Sequence, residues 1–290
     1  MFVTMTFQEA YQQLKNSLLD IYGGREAENI ASLVMGHLTG MNRLDRLMKI
    51  KEQMPEDQQN RLLKYQHELI SHKPVQYVLG ETWFYGLRLY VDENVLIPRP
   101  ETEELVDWVV NDYSKNIASE NIRILDIGTG SGCIALGLKK KLSGAQVQGI
   151  DISEGALKVA QLNAKENEIQ VEFIKSDFLQ EMERDKLGKF EIIISNPPYI
   201  PYSDKNSMNK NVLDFEPHLA LFVNNNRPLI FYETVSNFAK SHLANGGTIY
   251  FELHESLGEH AVQLFKLNGF AHIELKKDMQ GKDRMLRVRV

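Results

Sequence analysis

A single cysteine, Cys133, occurs among 290 residues. One thiol excludes an internal disulfide framework and a multi-cysteine zinc site. Positive charge is not in excess either, since 33 Lys and Arg stand against 39 Asp and Glu for a net charge of -6. That balance is unlike the basic surface with which proteins grip phosphate backbones, so no direct nucleic-acid substrate is expected. No stretch approaches about 18 uninterrupted apolar residues. The opening segment, Met1 to Phe7, lacks a basic region followed by a long apolar run. These absences lead to the expectation of a cytoplasmic protein that does not engage membranes. His254 and His260 flank two glutamates but are six residues apart, whereas a zinc-binding helix face needs its histidines one turn apart. No metal is expected. What the chain does have is ordinary globular usage, 43% hydrophobic and 25% charged, enough for a sizeable core. Its length suits a main domain with a smaller one.

The smaller domain is expected at residues 1–75, built of helices. Thr6 with Glu9 makes a capping box, and Gly23-Gly24 offers a stop. The spacing Ala27, Ile30, Leu33, Val34 and Leu38 predicts a second amphipathic helix. A third is predicted to start near Pro55-Glu56-Asp57 and to run towards His72. Residues 1–75 carry nine Lys or Arg and nine Asp or Glu, so the domain is neutral and better suited to docking protein than nucleic acid. From Gln76 to residue 100 the pattern predicts a β-hairpin linker around Trp83-Phe84-Tyr85-Gly86-Leu87. A helix then opens at Pro100 with acids in its first turn. Within 101–290, strands are predicted at Arg123–Ile127, Gln146–Ile150, Val171–Lys175, Glu191–Ser195 and Thr248–Leu253, alternating with helical stretches. This is the pattern of an α/β fold with a mostly parallel sheet. Ala271–Lys276 and Met285–Val290 are too close for an intervening helix and should pair antiparallel.

Asp126-Ile127-Gly128-Thr129-Gly130-Ser131-Gly132 follows the first of these strands and precedes a helix. A dinucleotide fingerprint would place its third glycine at Cys133, one residue too late, so the spacing favours a methyltransferase over a dehydrogenase. Gly128, Thr129, Gly130, Ser131 and Gly132 are therefore candidate cofactor residues. Asp151 ends the next strand, where a carboxylate can accept from both ribose hydroxyls. Asp177 and Phe178 end the third strand; the acid suits an adenine amino group, and the ring suits either packing on adenine or the core. Cys133 reads as a small buried apolar residue.

The fourth strand runs into Asn196-Pro197-Pro198-Tyr199. The prolines stiffen this turn and remove two N–H groups, so it presents carbonyl oxygens and the Asn196 side chain. Those are acceptors for a planar NH₂, and Tyr199 adds a flat face. Asn196, Pro197 and Tyr199 are the candidate catalytic residues, with Pro198 joining them in substrate binding and Asn196 also bordering the cofactor. The chemistry that fits is positioning of an uncharged NH₂ against a sulfonium methyl, with no strong base required.

With these residues in place, the chain resembles the release factor glutamine methyltransferases over nearly its whole length. The resemblance is carried by Pro74-Val75-Gln76-Tyr77-Val78-Leu79-Gly80, Val95 to Glu103, Asn196 to Tyr199, Phe215-Glu216-Pro217, and Lys277-Asp278 ahead of Asp283-Arg284. It implies a seven-stranded, Rossmann-like class I methyltransferase domain with its last strand antiparallel, preceded by a small helical domain and a β-hairpin. It implies S-adenosylmethionine as cofactor, S-adenosylhomocysteine as product, and peptide chain release factors as partners, methylated on the glutamine of their Gly-Gly-Gln motif. It also implies that Asn196 and the Pro197 carbonyl hold the glutamine amide. Two departures stand out: Asn226-Arg227-Pro228-Leu229 replaces a usual Asp-Gly-Leu step, and Phe178 stands where a larger ring is common. The main rival is amino-group methylation of adenine or guanine in RNA or DNA, which presents the same planar NH₂. A docking module that keeps the cofactor pocket without catalysis is the other.

Overall fold

The structure is a computed structural model that describes residues 5–114 and 122–290. Most of the opening segment read above therefore lies outside the described residues. Contacts divide the chain into two compact units, Met1–Gly80 with Asn209–Phe215, and Glu81–Met208 with Glu216–Val290.

The first unit is helical: α1 (Phe7–Thr39), α2 (Arg43–Met48), α3 (Glu56–Ile70) and α4 (Val75–Leu79). The capping box is present, with the Thr6 hydroxyl accepting from the Glu9 N–H at 3.2 Å and the Glu9 carboxylate accepting from the Thr6 N–H at 2.7 Å. Gly23, at φ 72 and ψ 170, breaks the helical run where the glycine pair predicts a stop. Leu14, Leu18, Val34, Leu62 and Leu69 form the buried core of this unit. One expectation fails here, because Val75–Leu79 is helical where β structure was predicted from Gln76. Pro74 supplies the entry and Gly80, left-handed at φ 67, the exit, so the segment is bracketed as a short helix. The other short helix, α2, carries no buried residue and so had no apolar period to betray it.

The second unit begins with a hairpin of β1 (Thr82–Phe84) and β2 (Leu87–Leu89). Val95 and Ile97, expected to extend it, are buried but not in a strand. Then come α5 (Pro100–Tyr113), β3 (Arg123–Ile127), α6 (Cys133–Lys141), β4 (Gln146–Asp151), α7 (Glu154–Glu166), β5 (Glu172–Lys175) and β6 (Phe190–Ser195). A two-residue pair, β7 (Ile200–Pro201) with β8 (Phe222–Val223), precedes β9 (Leu243–Glu252), β10 (His272–Lys277) and β11 (Asp283–Arg289). The main sheet has seven strands in the order β10-β11-β9-β6-β3-β4-β5. Neighbours from β9 to β5 are parallel, and β11 is antiparallel to both β9 and β10, as the short tail connection predicts.

Ile124, Leu125 and Ile192 to Ile194 are fully buried because helices cover both sheet faces, which is why these strands are continuously apolar rather than alternating. Leu105, Val106, Ile134 and Leu136 fill one face, and Tyr232, Val235, Phe251 and Phe265 the other. The strand order reverses direction at β3, leaving a crevice at the carboxyl ends of β3, β4 and β6. Among the described residues no helix is long and apolar enough to cross a membrane.

Candidate active site

The turn after β3 is fixed from its own backbone outward. The N–H groups of Gly128 and Thr129 both donate to the Ile150 carbonyl at the end of β4, at 2.9 and 3.0 Å. The Thr129 hydroxyl donates to the Asp126 carboxylate at 2.6 Å. Asp126 is fully buried, and that burial pushes its carboxyl up to about 7. On α7, the Asn163 side-chain amide donates to the Ser131 carbonyl at 2.9 Å and to the Tyr90 carbonyl at 3.0 Å, pinning the loop to the segment after the hairpin.

The three loop glycines serve two purposes. Gly128, Gly130 and Gly132 all have positive φ, at 73, 55 and 80. A methyl group added to Gly128 or Gly130 would meet nothing within 4 Å, because both face an open cavity. At Gly132 it would meet the Phe173 ring at 3.1 Å and the Ala160 Cβ at 3.2 Å. Gly132 therefore lets α6 approach β5 and α7, and it does not line the cavity. Gly132→Ala combines a strained backbone with that crowding and is expected to lower stability by about 2 kcal/mol. Thermal denaturation measures this, and an unchanged midpoint would contradict the packing role.

Asp151 ends β4 and lines the cavity beside the glycine turn. One carboxylate oxygen accepts from the Gly130 N–H at 2.9 Å and the other from the Ser153 N–H at 2.8 Å. Burial raises its pKa against the pull of these donors. Asp177 lines the same cavity, and its carboxylate accepts from the Leu179 N–H at 3.0 Å. Phe178 packs edge to face against Phe238 at 5.2 Å in the core, as one of its two readings expected, and also forms part of the cavity wall. Cys133 is buried, with its thiol pushed up to about 12, mainly by that burial. It is inert at neutral pH.

Asn196 and Pro198 also line the cavity, together with Arg99 and Thr102 from the start of α5. The Asn196 Nδ2 donates to the Thr102 hydroxyl at 3.1 Å, and that hydroxyl donates to the Glu252 carboxylate at 2.6 Å. Glu252 is almost wholly buried, and burial pushes it up to about 7. Arg99 pairs with Glu216 at 2.5 Å, and Glu216 also accepts from the Ile97 N–H at 3.3 Å, so the Ile97–Arg99 segment is tied to the Glu-Pro step. With Gly132, two more predicted residues stand outside the lining: Pro197 is buried, and the Tyr199 ring rests against His254 at 5.9 Å between centroids. Burial raises the Tyr199 hydroxyl well above its ordinary range. The Asn226–Leu229 departure forms a turn, with the Arg227 N–H donating to the Asn224 carbonyl at 2.9 Å, and is also outside the cavity.

Thr102, Asn163 and Glu252 were not among the predicted site residues. Glu252 had left a signal, since a lone carboxylate in the apolar run Thr248–Leu253 demands a buried partner.

The cavity brings together a glycine turn with open space above it, a carboxylate at the end of the next strand, and an amide side chain at the end of the fourth. A nucleoside-bearing ligand fits that donor set, and an uncharged NH₂ fits the far end. No group of three or more His, Cys, Asp or Glu placed to hold a metal occurs among the described residues.

Comparison with known proteins agrees in kind. Residues 108–214 match the family model described as methyltransferase small domain, and residues 9–80 match the PrmC N-terminal domain. The chain is 43% identical to the release factor glutamine methyltransferase of Flavobacterium psychrophilum over 95% of this chain and 96% of that one. It is 38% identical to that of Bacteroides thetaiotaomicron over 94% and 96%. Among solved structures, a Pyrococcus furiosus methyltransferase superposes with a TM-score of 0.52 at 20% identity, covering 81% of this chain and 98% of that one. At that identity the likeness concerns the fold alone.

Proposed function

Because the chain belongs to the release factor glutamine methyltransferase family, we propose that it transfers a methyl group from S-adenosylmethionine to the side-chain amide nitrogen of the glutamine in the Gly-Gly-Gln motif of peptide chain release factors. The observation that carries this reading is Asn196, whose Nδ2 is occupied by Thr102 while the residue borders the same cavity as Gly130 and Asp151. An amide with its NH₂ end committed has its oxygen end left for a donor, and the target glutamine brings an NH₂.

S-adenosylmethionine supplies an electrophilic methyl group on a positively charged sulfur. The chain's own part is positioning. Asp151 receives the ribose hydroxyls, the open backbone of Gly128 and Gly130 admits the ligand where a side chain would collide, and Asp177 with Phe178 borders the base. Asn196 accepts from one hydrogen of the glutamine NH₂ and Pro198 walls the approach; the Pro197 carbonyl, which the resemblance gives to the second hydrogen, and the Tyr199 ring stand behind that lining and reach the nitrogen only if the bound substrate displaces it. Holding the nitrogen by both hydrogens opposes its conjugation with the carbonyl and aims the lone pair. Transfer would form the N–C bond as the C–S electron pair returned to sulfur, and the extra N–H proton would then leave to solvent. No side chain has to remove it beforehand. The helices of residues 1–75 are the proposed docking surface for the release factor, and S-adenosylhomocysteine is the product.

The alternative substrate, an exocyclic amine of a nucleic acid, meets the same acceptors but is disfavoured by the net charge of -6. Tritium from methyl-labelled S-adenosylmethionine is expected in release factor and not in RNA or DNA incubated alongside. Label in nucleic acid with none in release factor would overturn the reading.

A further inference from the structure

We propose that Thr102 and Glu252 form a directional hydrogen-bond relay that fixes which end of the Asn196 carboxamide meets the substrate, so that both are positioning residues for methyl transfer. The proposal rests on the reading of Asn196 given above.

Thr102 owns a single proton that it can donate. A threonine hydroxyl donates once and accepts with its remaining lone pairs, whereas an ionised carboxylate only accepts. While Glu252 is ionised, the Thr102 proton goes to its oxygen, 2.6 Å away. Its lone pairs then face Asn196, 3.1 Å away, and an atom offering lone pairs selects the NH₂ end of the amide. The oxygen end is thereby turned from Thr102. Reversing the proton on Thr102 would reverse the amide and present NH₂ to an incoming NH₂, a repulsive pairing. The charge on Glu252 thus sets the polarity of a group two hydrogen bonds away.

Both residues are only 2% exposed, so solvent does not substitute for either bond. Burying a carboxylate is costly, and a neutral side chain of the same shape would pack here with less penalty. The site is nevertheless built around the charge. The Glu252 carbonyl accepts from the Tyr232 hydroxyl at 3.1 Å. Arg284, which donates to the neighbouring Leu253 carbonyl at 3.2 Å and to Asp278 at 3.2 Å, adds a positive charge that favours the ionised form. Three segments far apart in the chain, α5, the turn after β6, and β9, converge on these two bonds.

The test uses purified full-length protein, steady-state methylation of a release factor, and calorimetric binding of S-adenosylhomocysteine. Thr102→Val removes the hydroxyl at nearly constant volume and is expected to lower kcat on the order of tenfold, about one hydrogen bond's worth. The KM for release factor and the affinity for S-adenosylhomocysteine should stay within about twofold to threefold. Thr102→Ser, which restores the hydroxyl, recovers most of the lost rate. A merely structural threonine would shift the melting temperature without splitting kcat from KM. The sharper arm is compensation. In Asn196→Asp, two carboxylates compete for the single Thr102 proton. Adding Glu252→Gln supplies an NH₂ that can donate to Thr102 and release that proton towards position 196, so the double variant is expected to be at least about fivefold faster than Asn196→Asp alone. Independent roles would make the double variant equal or slower, which would overturn the relay, as would a Thr102→Val enzyme with kcat within about twofold of wild type. If Asn196→Ala remains active, the reading of Asn196 fails and the relay with it. If Asn196→Ala is inactive while Thr102→Val is not, only the relay fails.

Discussion

Asn196→Ala is expected to lower kcat for release-factor methylation by on the order of 10³-fold while leaving S-adenosylmethionine binding within about twofold. The size follows from what the side chain does. Removing a preorganised hydrogen-bonding group from a reacting centre costs about 10² to 10³ in rate. In the proposed reaction orientation is nearly the whole of the catalysis, because no general base is needed before the transfer. The truncation also leaves the Thr102 hydroxyl facing a gap, so the acceptor lost at the cavity is not replaced by its neighbour. Ligand affinity should survive, since the Gly130 and Ser153 N–H groups still hold Asp151 and the glycine turn is pinned by β4 and Asn163. Stopped rates with intact calorimetric binding would exclude a docking module that merely retains a cofactor pocket. Parallel loss of both would assign Asn196 to binding.

Asp151→Ala is expected to do the converse. Each oxygen of that carboxylate already accepts one backbone N–H, from Gly130 and Ser153, and retains a lone pair for a ribose hydroxyl. Two charge-assisted hydrogen bonds are worth about 3 kcal/mol together after desolvation, which corresponds to a Kd for S-adenosylmethionine raised on the order of 10²-fold. The Gly130 N–H also loses its partner, which loosens the turn and adds to the effect. At saturating cofactor, kcat should return to within about fivefold of wild type, because the amide-holding end of the cavity is untouched. A Kd unchanged in calorimetry would remove Asp151 from the cofactor's recognition.

These two outcomes separate the halves of the site, and the halves differ in how legible they were. The glycine turn, Asp151 and the Asn-Pro-Pro-Tyr turn could be read directly because each sits at a strand end. Strand ends were visible because buried parallel strands are continuously apolar, as at Ile192 to Ile194. The antiparallel tail was legible for a simpler reason, the lack of room for a helix between β10 and β11. Thr102 and Glu252 were not legible as a pair, because 150 residues separate two groups that share one proton. Thr102 on its own reads only as part of a helix start. Gly132 misled in the opposite direction: a glycine in a ligand-binding run looks like a ligand contact, and only the 3.1 Å approach of Phe173 assigns it to packing. The β stretch was expected to begin at Gln76, yet the proline before and the left-handed glycine after Val75–Leu79 favour a short helix there.

The central claim is that an acceptor-rich turn after the fourth strand holds a glutamine NH₂ for methyl transfer. Its most direct test is fragmentation mass spectrometry of a release factor incubated with this protein and S-adenosylmethionine. A single added methyl located on the side-chain amide of the Gly-Gly-Gln glutamine, absent with Asn196→Ala, is the predicted result. A methyl on another residue, or an unmodified glutamine beside methylated nucleic acid, would contradict it.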